Sequence, residues 1–184
     1  MIKARVAAEN PEANLSNYNE RYQSFNWQDI EKEFTWHTTG RINIAYEAVD
    51  RWAMDVKRKD RKALIFEKGD TVAEYTYLQL KEKSAQWANL LVRYGFETGD
   101  RLFVFLAPCP EIYFALLACA RIGALFCPVY ATSTFDEISV RISDAAPRGI
   151  LTHPDLAEML PTDIEETTEF VFLTEGPLPN LHPN

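Results

Sequence analysis

The stretch GFETGDRLFVFLAPCPE, residues 95–111, runs from a turn into an apolar strand and then into a helix opened by proline. Many α/β proteins hold a phosphate at such a corner, because backbone N–H groups at a helix start converge on an anion. That chemistry needs glycines set close together where the helix begins. Here none follows Gly99, and the seven glycines of the chain, at 40, 69, 95, 99, 123, 149 and 176, come no closer than four positions. A dinucleotide fingerprint and a P-loop are therefore excluded. No G-x-S-x-G elbow replaces them, and no serine has a His and a carboxylate partner in a usable order.

The other reactive side chains read as structural. Cys109, Cys119 and Cys127 form no C-x-x-C pair and lie in apolar surroundings, as reduced core thiols do. His37, His153 and His182 are isolated, so no spacing supports a metal site. Asp136 and Glu137 are adjacent at a helix start, where they face different directions and favour the helix dipole rather than acid–base work. Arg101 follows Asp100 at a strand entrance and is expected to form a surface pair with it. The basic run Lys57-Arg58-Lys59 with Arg61-Lys62 is broken by Asp60 and reads as a solvated turn.

Periodicity supplies the elements that must position any site. Ile44, Ala45, Ala48, Val49, Trp52, Ala53 and Val56 follow the spacing of a helix with one apolar face. Ala63–Phe66 and Val72–Tyr75 flank the turn Glu67–Asp70 and predict a hairpin. Thr76 caps a long helix whose apolar side includes Trp87, and Gly95 is placed to end it. Leu102–Leu106 is apolar on both faces, as a central covered strand must be. A helix over 111–122, apolar almost all round, precedes a strand over 124–130. Thr134 with Glu137 three residues on is a capping box opening a third helix. Strands follow over 148–152 and 170–173, with a helical turn or two over 154–160 between them. Strand and helix alternating at this spacing imply an α/β fold, a doubly wound and mostly parallel sheet with flanking helices.

A length of 184 residues suffices for a real core, and a net charge of −8 disfavours a broad phosphate-tracking surface for nucleic acid. No window approaches membrane-spanning length, and the opening residues lack an uninterrupted apolar run, so a soluble, cytoplasmic protein is expected. Three zones emerge. Residues 1–43 are aromatic-rich without period and are expected to pack on another body, residues 44–175 carry the α/β pattern, and 176–184, GPLPNLHPN, reads as a proline-rich connecting loop.

The segments WHTTGRINIAYEAVDRW (36–52), YTYLQLKEKSAQWANLLVRYGFETGDRLFVFL (75–106) and PEIYFALLACARIGALFCPVY (110–130) closely resemble the front portion of the AMP-forming acetyl-CoA synthetases. These belong to the wider adenylate-forming superfamily. The resemblance covers nearly the whole chain but only about the first third of a family enzyme. It implies an N-terminal part of the family's large domain, from a ligase that makes an acyl-adenylate from a carboxylate and ATP and passes the acyl group to CoA.

In that family the Ser/Thr/Gly-rich phosphate loop, the adenine-binding strand, the ribose-binding aspartate and the catalytic lysine all come after this region. The resemblance therefore assigns no catalytic residue and no metal ligand here. ATP, Mg2+ and CoA are implied as cofactors of the parent enzyme, with none held tightly by this part. The remainder of the synthetase and a small carboxylate are the implied partners, and exposed apolar surface implies possible self-association. Tyr130, Ala131 and Thr132 match a loop that approaches the CoA tunnel and are candidate CoA contacts. Their other reading is a strand-end core aromatic followed by a loop into a cap. Where some members supply arginines for the CoA phosphates, this chain has Asp155-Leu156-Ala157-Glu158-Met159-Leu160, which weakens any such grip. A stand-alone, non-catalytic binding or interaction module on the same scaffold is the alternative.

Overall fold

The computed structural model describes residues 17–175, so the first sixteen residues and the connecting loop read at 176–184 lie outside the described residues. The chain divides into two compact units, Met1–Ile42 and Asn43–Asn184. In the first, the aromatic-rich sequence forms three short helices, α1 (Tyr18–Ser24), α2 (Trp27–Glu31) and α3 (Trp36–Thr39), none with a buried residue. The Asn26 side chain caps α2 by accepting from the Gln28 N–H at 3.0 Å, and Gly40 ends α3 in the left-handed region. Neighbouring rings pair: Tyr18 stacks on Tyr22, Phe25 meets Trp27 edge-on, and Phe34 stacks on Trp36 with centroids 4.1 Å apart.

The second unit opens with a π-helical turn, Tyr46–Asp50, running into α4 (Arg51–Ala53). The sequence predicts a longer helix with one apolar face reaching Val56, and here the structure differs. Ala45, Val49 and Ala53 are buried, whereas Ile44, at the start of the segment, is exposed, and Val56 is exposed because the helix ends at Ala53. Trp52 is half-buried, with the guanidinium groups of Arg51 and Arg58 each 4.3 Å from its ring. Asp50 turns inward. Its two carboxylate oxygens each accept from Arg121 at 2.6 Å, and Arg121 also donates to Ser84 Oγ at 2.9 Å.

A hairpin follows, β1 (Lys62–Lys68) with β2 (Thr71–Thr76), tied across by Lys62 and Glu74. Lys57, Arg58, Arg61 and Lys62 of the basic run are solvent-exposed, as a solvated turn requires. Helix α5 (Tyr77–Arg93) starts with a full capping box between Thr76 and Gln79. Then come β3 (Arg101–Leu106), α6 (Pro110–Ile122), β4 (Leu125–Tyr130), α7 (Phe135–Ala145), β5 (Gly149–Thr152), α8 (Pro154–Ala157), α9 (Ile164–Thr167) and β6 (Phe170–Leu173). All pairings in this four-stranded sheet are parallel, in the order β4-β3-β5-β6.

Alternation along the strands splits the core in two. Leu102, Val104 and Leu106 face Ala88 and Leu91 of α5 and Ala115, Ala118 and Cys119 of α6. Phe103, Phe105 and Ile150 face the other way, onto Ile138 and Ile142 of α7 and Ile164 of α9. Helix α6 is also packed on its far side, where Phe114 and Leu117 meet Ala45, Val49 and Tyr75. Its apolar circumference is thus consumed by two layers, apart from exposed Tyr113 and Leu116.

The expected Asp100–Arg101 pair does not form. Arg148 takes Asp100 instead, at 2.9 Å, and Glu169 at 3.2 Å, while Arg101 donates to the Ala146 carbonyl. Adjacent side chains on an entering strand diverge, whereas β5 brings Arg148 alongside. The Glu97 N–H, donating at 2.7 Å, does most to hold the Asp100 carboxyl below its ordinary range, with Arg148 and Arg101 adding to it against the cost of burial.

The Asp50–Arg121 pair is mostly buried, so removing one partner strands the other. Asp50→Ala is expected to cost about 3–5 kcal/mol in urea unfolding. Lys32→Ala, which breaks an exposed pair with Asp29, should cost under about 0.5 kcal/mol. Comparable losses for the two variants would overturn the assignment of the Asp50–Arg121 pair as a structural clamp.

Candidate functional site

Crossovers leave opposite faces of the sheet at its centre. From β3 the chain passes through α6 to β4 on one side, and from β5 it passes through α8 and α9 to β6 on the other. A crevice opens where neighbouring strands part in this way, beyond their carboxyl ends. A cleft of about 400 Å³ lies there, lined by Leu106-Ala107-Pro108-Cys109 at the end of β3, His153, Asp155 and Leu156 after β5, Thr174-Glu175 after β6, and Lys68 and Glu111. It sits at the strand-to-helix corner within residues 95–111.

Its chemistry opposes phosphate. Pro108 and Pro110 supply no N–H at the start of α6, and Glu111 places a carboxylate in the first turn. At α8 the N-terminus is already used: His153 Nδ1 accepts from the Asp155 N–H at 3.2 Å, and Nε2 lies 2.8 Å from Glu175 Oε1. Three carboxylates, Glu111, Asp155 and Glu175, line the cleft against one ammonium, Lys68. The residues present do not fit a triphosphate.

The glycines confirm the division of labour. Among the described residues, Gly95, Gly99, Gly123 and Gly149 all precede or begin strands, at the amino end of the sheet. Gly95, Gly99 and Gly123 have positive φ, and a Cβ on Gly123 would lie 2.8 Å from Thr98 Oγ1. They serve tight turns at the end opposite the cleft.

The thiol in the cleft is quiet. Burial first, then the Glu111 carboxylate, pushes Cys109 up to about 11, and burial pushes the enclosed Cys119 up to about 12. All three cysteines are free, and no group of three or more His, Cys, Asp or Glu among the described residues could hold a metal ion.

Tyr130, Ala131 and Thr132 sit one strand over. The parallel register pairs Leu106 with Tyr130, so these residues leave the sheet at the same edge as the cleft without lining it. The Ser133 N–H closes the turn on the Tyr130 carbonyl at 2.9 Å, and Thr134 then caps α7 in the expected box with Glu137. Tyr130 is 75% exposed, which corrects its reading as a core aromatic: β4 is an edge strand and its last residue projects beyond the layer. Sequence reasoning missed Lys68, Glu111, His153 and Glu175 as neighbours. Only the fold brings a hairpin tip and three strand ends together, and no local spacing announces that.

Residues 49–180 match the family model described as AMP-binding enzyme. The chain belongs to that family. The acetyl-coenzyme A synthetase of Bacillus subtilis is 38% identical over 176 residues, 95% of this chain and 30% of that protein. The Streptomyces coelicolor acetyl-coenzyme A synthetase is 40% identical over 119 residues, 64% of this chain and 18% of that one. This member of the AMP-binding family thus spans less than a third of the curated relatives it matches. A Brucella canis acyl-CoA synthetase crystal structure shares the fold, with a TM-score of 0.69 at 21% identity over 89% of this chain and 30% of that one. No helix among the described residues is long and apolar enough to cross a membrane.

A thiol moved from 9.0 to about 11 carries roughly a hundredfold less thiolate at pH 8. Cys109 is therefore expected to react with iodoacetamide about 100-fold more slowly than a small-molecule thiol at that pH, approaching it only above pH 11. The raised folded-state value favours the native protein below the unfolded thiol range, and this contribution is lost as the pH rises toward 11. Ordinary reactivity at pH 8 in folded protein would contradict the assignment.

Proposed function

We propose that this polypeptide is the N-terminal portion of an AMP-forming ligase for acetate or another short acid. Such an enzyme forms an acyl-adenylate from carboxylate and ATP and transfers the acyl group to CoA. The observation that carries this is the 38% identity to an acetyl-coenzyme A synthetase along 95% of the chain, including sequence before the AMP-binding segment. In this reading ATP, Mg2+ and CoA are ligands of the whole enzyme, and the part described here is its scaffold.

The cleft supports that division. Two prolines, a capped α8 and an excess of carboxylates leave no main-chain cradle for a triphosphate, so phosphate neutralisation has to come from elsewhere in the parent. Tyr130, the last residue of β4, and Ala131 and Thr132 after it leave the sheet at its cleft edge, with Tyr130 and Thr132 facing solvent and so open to a ligand such as CoA. Their reach toward CoA belongs to this proposal. Exposed Tyr113, Leu116, Leu125 and Tyr130 offer apolar surface to the remainder of the synthetase.

The test is acyl-CoA formation from acetate, MgATP and CoA. The 184-residue chain is expected to give no turnover and no saturable binding of an acyl-adenylate analogue by calorimetry, whereas the longer polypeptide from its source gene gives both. Turnover by the short chain, or a gene that continues without ligase activity, would overturn the reading.

A further inference from the structure

Charge along the chain is segregated. Residues 51–62, RWAMDVKRKDRK, hold Arg51, Lys57, Arg58, Lys59, Arg61 and Lys62 against only Asp55 and Asp60. From 149 to 184 there is no lysine or arginine, and Asp155, Glu158, Asp163, Glu165, Glu166 and Glu169 crowd the first part of that stretch. A chain of net charge −8 thus carries one strongly basic and one strongly acidic segment.

The basic segment is a built turn. Asp55 is spent inside it: Oδ1 accepts from the Lys57 N–H and the carbonyl from the Lys59 N–H, each at 2.8 Å, while Oδ2 lies 3.6 Å from Arg58. Tyr77 and Leu78 donate their N–H groups to the Arg61 and Lys59 carbonyls, each at 3.1 Å, which fastens the turn to the start of α5. Lys57, Lys59 and Arg61 have no ion-pair partner among the described residues. Met54 and Val56, 55% and 82% exposed, add apolar surface on the same segment.

The six carboxylates from 155 to 169 are all exposed. Asp155 lies 3.4 Å from His153 and Glu169 lies 3.2 Å from Arg148, but Glu158, Asp163, Glu165 and Glu166 have no ion-pair partner among the described residues. Ile164, in their midst, packs on the Phe103, Phe105 and Ile150 face of the sheet, whereas α5 covers the opposite face of Leu102, Val104 and Leu106. The sheet therefore stands between the two segments, and one copy does not pair them within itself.

We propose that the basic turn is a docking surface for the acidic segment of a second copy of this chain. Each copy is net negative, so the approach depends on this local complementarity, with Met54 and Val56 contributing apolar area. Two different patches meet, so the copies associate head to tail and the contact does not close as a two-fold dimer. It is independent of the activity proposed above and can hold in a chain that makes no acyl-CoA.

Sedimentation equilibrium of the 184-residue chain at about 0.05 M and about 0.5 M salt tests this. The average mass is expected to rise with protein concentration at low salt without a plateau at the dimer, and to fall back to the monomer at high salt. The longer polypeptide from the source gene should behave in the same way. Lys57→Glu with Arg61→Glu, or Glu165→Lys with Glu166→Lys, should weaken association by about tenfold or more. An equal mixture of the two double variants should recover it, since each then offers the other a complementary patch. Both variants remain net negative, so overall charge does not draw them together. The proposal is overturned by a monomer at low salt, by association that survives both charge reversals, by a mixture that fails to recover, or by a longer polypeptide that stays monomeric. Association that stops at a dimer overturns it as well.

Discussion

Burying β3 on both faces and along both edges is the constraint from which the architecture follows. Leu102 to Leu106 are all buried, so their backbone groups have no water to bond and must find strands on either side. Parallel strands cannot be joined by a tight turn, and right-handed crossovers must then lie on opposite faces as the sheet grows left to β4 and right toward β5 and β6. The parting of those crossovers makes the cleft. Its position is a product of packing, whatever later binds there.

What fills the cleft is another matter, and charge decides it. A phosphate needs converging N–H donors, yet this edge carries Pro108 and Pro110, while Gly95, Gly99, Gly123 and Gly149 lie at the far end of the strands. The result is a sheet with the crevice of an open α/β fold but without the electrostatics that a triphosphate requires.

Much of the fold was legible because its determinants are local. The capping residues Thr76 and Thr134, the helix-ending Gly95 and Gly123, and the unbroken apolar runs of β3 and β4 each fix an element within a few residues. The failures share a cause. Val56 keeps the helical spacing but falls beyond a helix that the sequence does not visibly stop, and the π-helical turn that swings Asp50 inward depends on Arg121, 71 residues away. Arg101 read as the partner of its neighbour because the true partner of Asp100, Arg148, arrives only with β5. Most of the candidate site was illegible for the same reason: Lys68, Glu111, His153 and Glu175 meet only once hairpin and sheet are assembled. Cys109 lay within the stretch first singled out, yet its inertness comes from burial that no motif encodes.

The clamp between Asp50 and Arg121 also bears on how the molecule is assembled. Its partners sit on the π-helical turn and on α6, with Ser84 of α5 between them, so it closes only when three distant pieces have already met. Contacts of long sequence separation form more slowly than local ones, because the chain between them must be ordered first. A contact that closes after the folding barrier shows itself mainly in how slowly the native unit comes apart, as a bolt drawn after the door has shut.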